Sequence, residues 1–341
     1  MTNRERFERA LAGEDIQHPV YAAYDWFVRN RKIDWQSLFD QGLGEIKHAE
    51  LTECERPNVR ITEQKREQDG KIRRDVTWVT DIGELHEWYL GEWRMEHLIK
   101  TEEDYRIMHR ALSGSRYAPT NVHFAAAEKE VGQNGVTVGG LNRTPLQRIQ
   151  IDYAGLEKFS LDLALESEPL FELIELMNGL KLEELACALQ TDAVQIKLWE
   201  NLSIETMGPV VYRKHLVPLY RQMFNLMQGT GKKIQVHYDG KLRLIADDIR
   251  ALAFDGLDSL TPAPEGDISI AEARTNWPDK FLWMHPNLGW FSQPQDQLAV
   301  KIRQMAKDAG PRRYCLMISE EVPPNWETTV PVVLGALKQI D

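Results

Sequence analysis

The chain is poor in cysteine: three occur, Cys54, Cys187 and Cys315, widely spaced and without a CxxC pair. That excludes a disulfide scaffold and points to a reducing, cytosolic setting. No apolar run approaches the roughly 18 residues of a membrane span, so none is expected. The opening MTNRERFERALAGE is charged and amphipathic and lacks the apolar stretch of a secretory signal. Neither GxGxxG nor GxxxxGK[ST] is present, and no low-complexity linker, which argues against a nucleotide-binding open sheet. Positive charge is also in deficit. A net charge of −11 at pH 7 makes the chain a poor general binder of nucleic acid or anionic membrane.

What is present is an ordinary globular balance, 43% hydrophobic and 27% charged, which excludes a disordered chain or collagen. At roughly 150 residues per domain, 341 residues allow two domains, but a barrel of alternating strands and helices takes the whole length as one. Asn3 is placed to cap a first helix with Phe7, Ala10 and Leu11 on one face. Pro19 opens a β-rich run, PVYAAYDWF. Runs at 58–64 and 72–79 flank Asp69-Gly70, a hairpin signal, so an antiparallel ribbon is expected in an insertion at about 55–95. The ribbon suits either a lid or the arm of a homodimer.

From about residue 134, strand-like runs alternate with helical patterns. The strands are VTVGGL at 136–141, AVQIKLW at 193–199, KIQVH at 233–237, LDSLT at 257–261, KFLWM at 280–284 and RRYCLMIS at 312–319. Helices are expected over 211–228, 241–255, 294–309 and 326–340. Six such strands plus the first approach the eight of a (β/α)8 TIM barrel, expected here as a single domain over 1–341. An open doubly wound sheet is the rival.

In a barrel, chemistry belongs at the C-terminal ends of the strands. There the sequence places Glu200, His237 with Asp239, His285 and Glu320, while the first strand carries Tyr21, Tyr24, Asp25 and Trp26. Glu200, His237, Asp239 and Glu320 together would make an O3N metal site suited to zinc, manganese or iron. A lone Glu after a strand is more often surface or cap. HxD is the stronger signal, because alternate residues leave a strand on the same side.

The order of parts resembles the uroporphyrinogen decarboxylase superfamily, which includes cobalamin-dependent methyltransferases. The matching pieces are NRERFERALAGE with its Pro-led strand, WEN at 199–201, MGPVVYRKHLVPLYRQM at 207–223, VHYDG at 236–240, EGDISIAEA at 265–273 and VPPNWETTVPVVLGAL at 322–337. The resemblance implies the (β/α)8 barrel. The decarboxylase branch's RQAGRY-like phrase and late GHG-like phrase are missing; SEEVPP stands at the latter. In the thiol-directed methyltransferases an HxC pair and a later Cys hold zinc. Here those positions fall on His237-Tyr238-Asp239 and Glu320, with Glu200 as the upstream acid. Cys315 falls inside a strand and reads as core.

Replacing thiolates by carboxylates gives a harder Lewis acid, suited to polarising an ether oxygen. The resemblance therefore implies a zinc-dependent methyltransferase of the aryl methyl ether O-demethylase type, passing methyl to the Co(I) of a corrinoid. The DxHxxG cobalt-ligating phrase is absent, so the corrinoid (cobalamin) is expected on a separate partner protein. The substrate would be a methoxy-aromatic small molecule. Tyr21, Tyr24, Trp26 and Trp290 are candidates to stack on its ring. Asn142 and Arg143 could bind its phenol oxygen or carboxylate, and Asp25 could accept a proton. A thiol-directed methylcobalamin methyltransferase and a uroporphyrinogen decarboxylase-like enzyme are the alternatives, with a non-enzymatic binding barrel behind them.

Overall fold

In the computed structural model, residues 1–15 and 18–340 are described. The chain divides into two compact units. One comprises residues 1–51, 120–142 and 191–341, the other 52–119 and 143–190. Among the described residues no helix is long and apolar enough to cross a membrane.

The first unit is a closed barrel of eight parallel strands: β1 (Val20–Tyr24), β2 (Leu43–Glu50), β3 (Gly135–Leu141), β4 (Gln195–Leu202), β5 (Lys233–Tyr238), β6 (Gly256–Leu260), β7 (Phe281–Met284) and β8 (Tyr314–Met317). Each pairs with its neighbours in sequence, and β1 closes the ring on β8 through Val20–Cys315 and Ala22–Met317. Every residue of β1, β6, β7 and β8 is buried, as expected of parallel strands covered on both faces. This is the expected (β/α)8 barrel with an antiparallel hairpin elsewhere in the chain.

Seven of the eight strands lie where the apolar runs predict them. The eighth, β2, is LGEIKHAE, whose Glu45, Lys47 and His48 break any apolar run. Its partner β3 approaches closely: a Cβ on Gly135 would lie 1.7 Å from the Glu45 carbonyl oxygen. β1 is shorter than its expected run. It stops at Tyr24, and Asp25–Asn30 forms a short helix with Asp25 in its first turn, where an acid suits the helix N-terminus.

The first helix, Asn3–Ala12, is capped by Thr2 through a capping box with Glu5, not by Asn3. Asn3 instead donates to the Leu43 carbonyl at 2.6 Å. The helix expected over 211–228 runs over Pro209–Met227 with a wide π turn at Tyr212–Leu216. That expected over 241–255 shortens to a turn at Arg243–Ile245 and a helix at Ala246–Ala251. The chain leaves it early because Asp255 must pair with Ile234. Helices Gln295–Ala309 and Trp326–Leu337 match expectation closely.

The second unit holds an antiparallel sheet of Arg60–Gln68, Lys71–Val79, Glu84–Leu90 and Trp93–Glu96. Asp69 and Gly70, with φ of 51° and 70°, make the expected tight turn. A strand pair, Thr52–Glu55 with Arg116–Pro119, and the helix Glu168–Ala188 complete this unit's main elements.

Candidate active site at the barrel mouth

Alternation along the strands decides which side chains enter the barrel. On β4, Lys197 and Trp199 point inward, so Leu198 and Glu200 point outward. On β5, Gln235 and His237 point inward and Tyr238 outward. Asp258 enters from β6, Trp283 from β7, and His285 follows β7.

Asp258 is the centre of this interior. It is fully buried and accepts from Tyr24 Oη at 2.7 Å, from Lys197 Nζ at 2.9 Å and from His237 Nδ1 at 2.7 Å. Burial pushes its carboxyl up, but Lys197 and His237 hold it well below the usual range. The same burial pushes the Lys197 ammonium down, opposed by Asp258. Lys197 also lies 4.1 Å from the Trp283 ring centroid and 4.6 Å from that of Tyr24, cation–π contacts that replace lost water.

His237 joins this buried pair to the opening. Its Nε2 lies 3.1 Å from Asp239 Oδ1. Burial alone lowers an imidazole, but Asp258 and Asp239 reverse this and raise His237 to about 9, so it is an imidazolium at neutral pH. Ser259 Oγ bridges two carboxylates at the mouth, 2.7 Å from Asp239 and 2.6 Å from Glu320. Ser259 has φ of 64°. That left-handed residue breaks the strand's alternation, which is how adjacent Asp258 and Ser259 both serve the barrel. His285, wholly buried, contacts Glu320 through Nδ1 at 3.1 Å and Tyr24 Oη through Nε2 at 3.3 Å. Burial raises Glu320, but His285, Ser259 and His237 bring it down to about 2.

An aromatic wall adjoins this cluster. Tyr24 and Trp26 stack with centroids 4.1 Å apart, and Trp26 stacks on His48 at 5.0 Å. Trp199 stands edge-on to Tyr24, Trp26 and His48 and lies 5.0 Å from His237. Within the wall, His48 Nδ1 is 2.7 Å from Asp25 Oδ1, and Asp25 also pairs with Arg29 at 2.9 Å. Burial raises Asp25, yet His48 and Arg29 hold it below the usual range. Burial lowers His48, outweighing Asp25, so the ring is neutral. Nδ1 carries the proton toward the carboxylate, which leaves Nε2 a bare acceptor. That Nε2 is buried and has no hydrogen-bond partner.

Of the residues expected from sequence, Tyr24, His237, Asp239 and Glu320 fall in one hydrogen-bonded cluster, and Asp25 and Trp26 border it. Glu200 does not join them. It is one residue out of phase with Trp199, wholly buried on the outer face of β4, where it accepts from Tyr220 Oη at 2.6 Å. Tyr21 is likewise out of phase with Tyr24; it is fully buried and its hydroxyl points to the Ile318 carbonyl at 3.4 Å. Trp290 packs under Lys301, 5.0 Å from its ring centroid. Asn142 is exposed just past β3, and Arg143 belongs to the second unit, where it pairs with Asp152 at 3.4 Å. Asp25, expected as a proton acceptor, is already committed to His48 and Arg29.

Sequence reasoning missed Lys197, Asp258 and His48. The first two carry a readable signal: each is a lone charge inside an apolar run, AVQIKLW and LDSLT.

The expected zinc set does not fit. Glu200 faces away on the outer side of its strand, and Ser259 Oγ stands between the Asp239 and Glu320 carboxylates. Among the described residues no group of three or more His, Cys, Asp or Glu side chains is arranged to hold a metal ion. Cys315 is wholly buried, with burial pushing its thiol well up.

The chain is thus a parallel (β/α)8 barrel whose C-terminal mouth carries a buried ion cluster and an aromatic wall, a class the strand order itself defines. At the level of sequence, no family model matches the chain, and no curated protein does. Among solved structures it is similar to a methyltransferase from Methanosarcina mazei, at 16% identity and a TM-score of 0.49. That match covers 62% of this chain and 61% of the other, so this chain spans about three-fifths of its length. A B12-independent methionine synthase from Shewanella sp. W3-18-1, in complex with selenomethionine, is similar at 10% identity over 89% of this chain and 84% of that one, TM-score 0.43. An IOLI protein with a bound zinc atom is similar at 11% identity over 64% and 83%, TM-score 0.32.

Proposed function

We propose that this protein is a methyl-transfer enzyme that takes the methyl group of an O-methyl donor, an aryl methyl ether, at the barrel mouth. The observation that carries the reading is the His237 imidazolium, held by Asp258 beneath the aromatic wall. Cleaving a methyl–oxygen bond leaves both electrons on oxygen, and that oxygen needs a proton or a Lewis acid. His237 Nε2 supplies the proton and Asp258 restores the charge balance. Lys197 keeps Asp258 ionised, and Trp26 and Trp199 flank the ring. His48 Nε2, oriented by Asp25, accepts a hydrogen bond from a substrate hydroxyl.

The proposed acceptor is the Co(I) of a corrinoid on a separate protein, which supplies the nucleophile. Support for access comes from the open rim: Asp239 and Glu320 are 34% and 43% exposed. The acid-rich rim would repel a polycarboxylated porphyrinogen, which disfavours the decarboxylase alternative. The test is methylcobalamin formation from cob(I)alamin and a panel of methoxy-aromatics. His237→Gln should slow it by about 10²- to 10⁴-fold, the range of general acid catalysis. Equal rates for the two proteins would reject the assignment.

A further inference from the structure

The second unit holds a cavity that the barrel chemistry does not use. Arg56, Arg143, Arg148, Lys181, Ser115 and Glu184 line it. Four of these are cations and one is an anion. Lys181 pairs with Glu184 at 2.8 Å and Arg143 with Asp152 at 3.4 Å. Two donors remain unmet. Arg148 Nε is buried without a hydrogen-bond partner, and so is Ser115 Oγ. Ser115 is 5% exposed.

Enclosed donors without acceptors are costly. Two unmet donors facing one space, under an excess of positive charge, are the complement of an oxyanion. Arginine's planar fork favours a ligand with two oxygens on one centre. We propose that this cavity is a binding site for a small oxyanion, a phosphate or carboxylate group, held by Arg148 and Ser115 with Arg56 contributing charge. The ligand's oxygens would accept from Arg148 Nε and Ser115 Oγ.

The proposal is independent of the barrel-mouth reading. Calorimetric titration of the full chain with inorganic phosphate and, separately, with acetate tests it. One saturable site per chain is expected for at least one probe, and the tighter probe identifies the oxyanion. Arg148→Gln should weaken that binding at least tenfold. Arg56→Gln, at a half-exposed position, should weaken it several-fold and serves if the first variant does not fold. Failure of both probes to saturate, or unchanged affinity in both variants, would overturn the proposal.

Discussion

His237 ties stability to pH in a direction that can be worked out. Its folded pKa of about 9 lies above the 6.5 of an ordinary imidazole. Its stabilising contribution is therefore complete below 6.5 and is lost as pH rises through 9. The full loss is on the order of 3 kcal/mol for a group this enclosed. Glu320 has the opposite sign: its pKa falls from 4.5 to about 2, so its contribution is present above 4.5 and lost on acidification through 2. Thermal unfolding across pH should show wild-type stability declining from 6.5 to 9. His237→Asn should flatten that limb; an unchanged limb would show that His237 does not titrate there. Asp258→Asn leaves Lys197 enclosed without its carboxylate, and denaturant unfolding should register a loss of about 3–5 kcal/mol. The HxD phrase made His237 and Asp239 legible in the sequence. Asp258 and Lys197 each stand as a lone charge in an apolar run, a signal overshadowed by the strand pattern around it. Glu200 was misplaced because a shift of one residue reverses the face a side chain presents.

Secondary elements are hard to read where polar residues interrupt the apolar pattern of a strand. The polar β2 carries His48 and so lacks the apolar run that marks its neighbours. Close approach also constrains β3: the methyl group of Gly135→Ala would clash with the Glu45 carbonyl and should cost about 1–3 kcal/mol or more. Gly179 provides the contrast. It lies exposed within the helix Glu168–Ala188, and a Cβ there meets nothing within 4 Å. Gly179→Ala should add about 0.5–1 kcal/mol through helix propensity. Denaturant midpoints of the two variants should move in opposite directions; a tolerated Gly135→Ala would contradict the β2–β3 packing.

For the whole molecule, the alternation of apolar runs and amphipathic segments revealed the barrel, because a parallel strand buried on both faces must be apolar along its length. The convergence of side chains at the mouth was less legible, since it depends on strand register and on the left-handed Ser259. Under the proposed function, the proton on His237, rather than a metal, activates the leaving oxygen. The most direct measurement is methylcobalamin formation from cob(I)alamin and a methoxy-aromatic by chelator-treated, metal-free protein across pH. The rate is expected to survive metal removal and to fall above pH 9. A rate abolished by chelation and restored by zinc would contradict it.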